Sequence, residues 1–538
     1  MRDAGRGTAP RDRRLTGRVS AGSAAWALGA GAAALLALAV AAAPLAAQTA
    51  ANPPAAPAQS PAAEQQPGAE QNPDAGQNPD AGQEPGAGAQ VHTGTTSGLD
   101  TDTRLANLLA DHQYRQVAGE LDKLPPEQAQ LYRGVLANRS NDLKQSVALL
   151  EPLADKMAAS GNVPQEKLLR EALAQDYLRL GDWAKAAQAY QTLATRLHGH
   201  LSQDEQEQIE MPLKLLPLAA GDPAMTVDPC EPFKLQVSED PLGLIDIPVF
   251  VDAAPHSWML DPTSPFTLIA MSTAKEVGLK VSDQAVTIHT LTGRPIPVRV
   301  TVIPRFTIGG RLTLRNVTAF VYNDADYSFA HSQYQVEGVL GYPALAALGS
   351  LTITDDDTIM VEPGKASDGA GENGGDKSGA DKSDPDKNGG DKSDAPRRGA
   401  RFYLDNDQII VALGKPGTGG DEPATAGDER MFAVDAGGQQ TYLTSRYFDE
   451  HSADFDGKKM QLITIAGQPD AVPAYVVETV ALRVGNTTVT LHYIPVLTQP
   501  LGSAALDDVY GVLGVDALQQ LKSYTFDYRT MRFSVETE

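Results

Sequence analysis

Cysteine and positive charge are both scarce in this chain. One cysteine, Cys230, stands in 538 residues, so no disulfide can close within the chain. No neighbouring base activates its thiol, and it reads as an incidental or structural residue. Lys and Arg number 44 against 68 Asp and Glu, giving a formal charge of −24. Nucleic acid is thereby excluded as a partner, because counterion release needs clustered cations. His289, His451 and His492 lack metal-ligand spacing. Asp355-Asp356-Asp357 opens no calcium loop and marks a solvated turn. No phosphate-cradling glycine loop or serine elbow occurs, so neither metal nor cofactor is expected.

What is present falls into segments. At this length the chain has room for two or more domains. Arg2, Arg6, Arg11, Arg13, Arg14 and Arg18 precede an apolar run from about Ala24 to Ala43 and the small residues of Pro44-Leu45-Ala46-Ala47. Residues 1–47 therefore read as a cleaved export signal, which predicts a periplasmic or secreted protein without stable membrane insertion. The alternative is an uncleaved anchor, since a span needs about 20 apolar residues. Residues 48–98, rich in Ala, Pro, Gln and Gly, form a linker that cannot bury enough apolar surface to order itself.

Helical periodicity fills 99–221. Ala172, Leu173, Tyr177 and Leu180 form one stripe, Gly181-Asp182 a turn, and Trp183, Ala186, Ala187 and Tyr190 the next stripe. Small residues let two antiparallel helices approach while the aromatics fill the gap. This pattern resembles a tetratricopeptide repeat. Asn141-Asp142 and Gln113-Tyr114 mark weaker, earlier turns. The separation of Asn141 from Gly181 exceeds the ~34 residues of a regular array, so an insertion or a degenerate repeat is expected between them. Such hairpins either bind partners or form a platform for the next domain. A proline-rich joint from Asp222 to Pro232 ends the helices. Short alternating runs follow, broken by a charged Gly/Asp/Lys linker at 364–399.

The runs on either side of that linker match. Met259-Leu260-Asp261-Pro262-Thr263-Ser264 answers Ala433-Val434-Asp435-Ala436-Gly437-Gly438. Thirty-two residues after each aspartate stands a hairpin glycine, Gly293 or Gly467. Gly338-Val339-Leu340-Gly341 answers Gly511-Val512-Leu513-Gly514, starting 77 residues after Asp261 and 76 after Asp435. Coincidence does not hold that many landmarks in register, so residues 232–363 and 400–538 are read as two copies of one β-rich unit.

These residues resemble the retropepsin-like aspartic proteases, with two lobes in one chain as in the pepsin arrangement. The resemblance implies an all-β bilobal domain following an all-α helical-repeat domain. It implies Asp261 and Asp435 as the catalytic pair, Thr263, Ser264, Gly437 and Gly438 as supporting turn residues, and Gly293 and Gly467 as flap positions. Two carboxylates sharing a site cannot both ionise cheaply, so the pair holds one proton between them. The ionised member takes a proton from water while the other hydrogen-bonds the scissile carbonyl. The expected partner is a polypeptide, as substrate or as bound protein. The sequence departs from the family pattern at Pro262 and Ala436, where a hydroxyl residue is usual, and at Thr263, where glycine is usual. A peptide-binding module without turnover is therefore the alternative.

Overall fold

The computed structural model describes residues 96–537, apart from 241–243, 263, 290–294, 330–333, 343, 365–398, 406–407, 415–428, 436–439, 466–470 and 502–506. The expected leader, the first linker up to residue 95 and nearly all of the second linker lie outside the described residues, while residues 96–98, expected in the linker, begin the first helix. Among the described residues no helix is long and apolar enough to cross a membrane.

The first part is a layer of helices: α1 (Thr96–Ala110), α2 (Tyr114–Glu120), α3 (Pro126–Arg139), α4 (Leu143–Leu150), α5 (Ala154–Ser160), α6 (Val163–Leu180), α7 (Trp183–Arg196) and α8 (Gln203–Ala219). One device closes three of the turns. His112, Asn141 and Gly181 adopt positive φ, and the following amide reaches back five residues: Gln113 to the Leu108 carbonyl, Asp142 to Ala137, and Asp182 to Tyr177. That bond satisfies a carbonyl the helix end would leave orphaned. Asp142 and Asp182 then cap the next helix by accepting from the amides of Gln145 and Lys185. Between the second and third turns stand α4, the 3-10 turn Glu151–Leu153 and α5. Leu180, placed on the buried stripe by periodicity, is 44% exposed. It is the last residue before the left-handed turn, and α6 buries Leu169, Ala174 and Leu178 instead. A buried polar ladder joins α3 and α4 to α6, where Asp176 accepts from Asn138 Nδ2 at 2.8 Å and Ser146 Oγ at 2.6 Å.

Beyond α8 come β1 (Thr226–Val227), β2 (Phe233–Gln236), β3 (Ser238–Glu239), β4 (Ile245–Val251), β5 (Ala254–Leu260), β6 (Leu268–Ala270), α9 (Met271–Glu276), β7 (Val286–His289), β8 (Pro295–Ile308) and β9 (Leu312–Tyr322). The lobe is completed by β10 (Ser328–Phe329), β11 (Tyr334–Gln335), β12 (Gly338–Leu340), β13 (Ser350–Thr354) and β14 (Thr358–Glu362). The proline-rich joint is part of this lobe, since β1 pairs with β9 and Arg315 grips Asp228 with two nitrogens. The second lobe holds β15 (Ala400–Asp405), β16 (Gln408–Gly414), β17 (Glu429–Val434), β18 (Tyr442–Leu443), α10 (Ser445–His451), β19 (Gln461–Ile463), β20 (Val472–Val484), β21 (Thr487–Leu497), β22 (Gly511–Leu513), β23 (Ser523–Asp527) and β24 (Arg532–Glu536).

The lobes repeat one topology. In the first, β12 runs parallel to β5 and antiparallel to β6, and β6 runs parallel to β9. In the second, β22 stands in the same way to β17 and β18, and β18 to β21. Long hairpins β8–β9 and β20–β21 turn at Gly309-Gly310 and Gly485-Asn486. The lobes also share a sheet. Strands β2, β14 and β13 continue through β23 into β24 and β15, with Thr352 opposite Thr525 at the middle of the β13–β23 ladder. Thr525 follows Thr352 by 173 positions, as Gly511 follows Gly338. A pseudo-two-fold axis therefore passes through that pair and exchanges the lobes. Side chains of both lobes meet in one continuous core that includes Trp258, Phe306, Phe402 and Phe526.

Candidate active site

Asp261 directly follows β5 and Asp435 directly follows β17. Each sits where its strand stops pairing with its hairpin partner and keeps only the parallel neighbour. The Asp261 amide donates to the Leu340 carbonyl at 3.4 Å, and the Asp435 amide to the Leu513 carbonyl at 2.9 Å. The Gly-Val-Leu-Gly motifs thus brace the two aspartates identically, and the symmetry that exchanges Thr352 with Thr525 exchanges Asp261 with Asp435. Both are buried, at 4% and 7% exposure.

The last glycine of each motif leaves room for the aspartate loop. A β-carbon on Gly341 would lie 2.1 Å from the Phe266 carbonyl oxygen, and one on Gly514 would lie 2.6 Å from the Gln440 carbonyl carbon. Backbone passes backbone too closely there for any side chain. Ser264 closes the first loop: its amide donates to the Asp261 carbonyl, its hydroxyl to the Phe266 carbonyl, and its own carbonyl accepts from the Tyr342 amide. Of the other turn residues, Thr263, Gly437 and Gly438 lie outside the described residues. So do Gly293 and Gly467, although the strands that carry them, β7 with β8 and β19 with β20, pair as hairpins.

Three neighbours of the aspartates were not singled out from sequence. Asp516 accepts from the Thr441 amide at 2.8 Å and from its hydroxyl, and that hydroxyl accepts from the Gly514 amide at 2.8 Å. It holds the second loop from the position occupied in the first lobe by Pro343. Its signal was available, because the repeat aligns Asp516 with a proline that can make no such bond. Tyr528, from the second lobe, is buried with its hydroxyl unpartnered among the described residues. Burial pushes its phenol well above the ordinary range, and the charges of Tyr342 and Asp261 push it further. Tyr442 behaves alike beside Asp435. A neutral phenol thus lies near each carboxyl group and adds no competing charge.

No cluster that could hold a metal ion occurs among the described residues. His451 bonds the Tyr447 carbonyl and stacks on its ring. Asp355-Asp356-Asp357 forms the β13–β14 turn.

Comparison with known proteins gives one family match. Residues 247–344 match the family model described as aspartyl protease. They run from within β4 through the Asp261 loop to three residues past the first Gly-Val-Leu-Gly motif. A retropepsin-like aspartic protease from Rickettsia conorii is similar at 14% identity over 27% of this chain and 98% of its own, with a TM-score of 0.18. No curated protein gives a significant match. The similarity to aspartyl proteases thus lies in the first lobe and includes the Asp261 loop.

Proposed function

We propose that the protein is an exported aspartic-type peptidase in which Asp261 and Asp435 share one proton and activate a water molecule against a peptide bond. The observation that supports this most strongly is the symmetry of the bracing, with each aspartate held by the leucine carbonyl of its own Gly-Val-Leu-Gly motif. One carboxylate acts as general base on water while its protonated twin donates to the scissile carbonyl. The two titrate as a pair rather than as separate groups. No step calls for a metal or cofactor. The paired closures of the helical hairpins support a tetratricopeptide-type layer, and the arginine-rich leader with its apolar run supports export to the periplasm or beyond.

One observation favours a second reading, a peptide-binding module without turnover. Pro262 and Ala436 offer no hydroxyl beside the aspartates, so the loops lack one means of tying the pair together. The discriminating experiment incubates the purified protein with a mixed peptide library at acidic and neutral pH, beside Asp261→Asn and Asp435→Asn variants. Cleavage that falls by about 10²-fold or more in both variants carries the peptidase reading. Cleavage indifferent to both substitutions, or absent at every pH even after the helical layer is loosened by Tyr114→Ala with Asp405→Asn, transfers the conclusion to the binding module.

A further inference from the structure

The helical layer lies on the face of the sheets that presents the aspartates. Side chains alternate along a strand. In β5, Trp258 and Leu260 enter the lobe interior while Met259 points to the opposite face. Asp261, two residues beyond Met259, continues on that opposite face. In β17, Phe432 and Val434 point inward and Ala433 outward, so Asp435 follows Ala433. Val339 pairs with Met259 and Val512 with Ala433, which extends the same face across the neighbouring strand in each lobe.

In both lobes this face is buried under helices. Met259 and Val339 belong to a contiguous apolar cluster with Trp183, Leu215 and Leu216. The Trp183 ring meets Phe320 edge-on at 6.4 Å. In the second lobe Ala433, Tyr442 and Val512 cluster with Tyr114, whose ring lies 4.5 Å from that of Tyr403. The hairpin bearing Gly293 is packed by α8. Ile465 and Val472, on either side of the Gly467 segment, lie in the Tyr114 cluster. Asn141, at the second helical turn, donates to the Tyr342 hydroxyl at 2.9 Å, one residue beyond the Gly341 that brackets the first aspartate loop.

The covering is anchored by a buried charge. Asp405 receives Arg139 Nη2 at 2.9 Å and the Tyr114 hydroxyl at 2.7 Å, with His112 Nδ1 at 3.2 Å. The rim pair Arg115–Glu429 has the same sense, helix cation on lobe anion, and Arg446–Asp111 has the reverse. A buried pair of this kind fixes where two surfaces dock more than it tightens them.

We propose that the helical layer is an intramolecular competitor for the polypeptide site: it seats Tyr114 and the Trp183 cluster where substrate side chains would lie, and a polypeptide enters when the layer moves off. The proposal rests on the peptidase reading for its occupant, an extended polypeptide added beside the flap strands. Because the competent state is a fraction of the closed population, apparent affinity is reduced by that fraction.

The test uses the full chain and fluorescein-labelled casein peptides, read by anisotropy and, separately, by cleavage. One variant, Tyr114→Ala with Asp405→Asn, loosens the layer; Asn141→Ala is a milder substitute if the first fails to fold by far-UV circular dichroism. A second carries Cys230→Ser, Asn141→Cys and Tyr342→Cys, bridged by a short bismaleimide to pin the layer down. The loosened variant should bind the peptides about tenfold tighter or more than the parent, and the bridged chain should not bind until the bridge is omitted. Equal binding by parent and loosened variant, unimpaired binding by the bridged chain, or no binding by any of them overturns the proposal. Tight binding by the loosened variant without cleavage sustains it while removing the peptidase reading.

Discussion

The hydroxyls of Thr352 and Thr525 lie 2.8 Å apart across the β13–β23 ladder. They are the same residue of the duplicated unit, meeting itself on the pseudo-two-fold axis. A hydrogen bond of this kind contributes about 1 kcal/mol net. Thr525→Val should lower stability by about that amount, and Thr352→Val likewise. The double variant should cost less than the two together, since neither hydroxyl is then left without its partner. Urea unfolding of the four proteins measures the coupling; strict additivity would mean the contact has no energetic content.

Gly341→Ala tests the close passage beneath the aspartate. The added β-carbon meets backbone at 2.1 Å, so the Phe266 segment must shift. Overpacking of this sort costs about 1–3 kcal/mol, and the loop it displaces carries Asp261. Peptide cleavage should fall far more than the unfolding midpoint. Gly199→Ala, where a β-carbon meets nothing within 4 Å and the backbone is not left-handed, serves as the control for a glycine replaced away from the site.

Asp246 gives a pH dependence with a defined sign. Burial, reinforced by the charges of Asp240 and Glu337, pushes its carboxyl up to about 7. In the unfolded chain it titrates near ~3.9. Between these values the folded protein holds a proton the unfolded chain has lost, so this group's effect is a loss of stability as pH rises from about 4 to about 7, flat above that. Asp246→Asn removes the slope and should stabilise the protein at pH 8 by on the order of 2 kcal/mol. Melting temperatures at pH 5 and pH 8 for both proteins decide it; a gap unchanged by the substitution would refute the assignment.

The anchor of the helical layer gives the last prediction. Arg139→Met leaves Asp405 buried without its guanidinium, a change that costs about 3–5 kcal/mol where a buried pair is broken. Replacing both, Arg139→Met with Asp405→Leu, should recover most of that loss. Denaturation midpoints rank the three proteins, and a double variant as unstable as the single one would show that the pair contributes through more than charge.

The parts of the molecule that could be read from sequence are those a backbone dictates locally. Asp261, Asp435, Gly341 and Gly514 recur because two strands and a tight loop must cross at one point, and that need survives when neighbouring residues drift. The turns at Asn141-Asp142 and Gly181-Asp182 were legible for the same reason, being a left-handed residue followed by a helix cap. The shared sheet was not. The alternation in Leu351-Thr352-Ile353 and Tyr524-Thr525-Phe526 specifies which face is buried and says nothing about which strand lies alongside. Asp405 gave no signal as an isolated aspartate in a strand, since its partners Arg139 and Tyr114 lie more than 260 residues away. Leu180 was misplaced because periodicity marks a face of the helix and not its end, and Leu180 closes α6 just before the left-handed Gly181, where it is left exposed.

The seam between the lobes also constrains how the chain is made. Strand β13 completes its hydrogen bonding with β23, so Thr354 waits for Ser523, 169 residues downstream. A ribosome adding about 5–20 residues each second needs roughly 10–30 s to deliver that partner. Throughout that interval the edge of β13 is an open template for any extended segment nearby, including the same edge on another nascent chain. The first lobe is thus committed to a period of exposure during biosynthesis, and a folding helper or slow-translation defect would act there first.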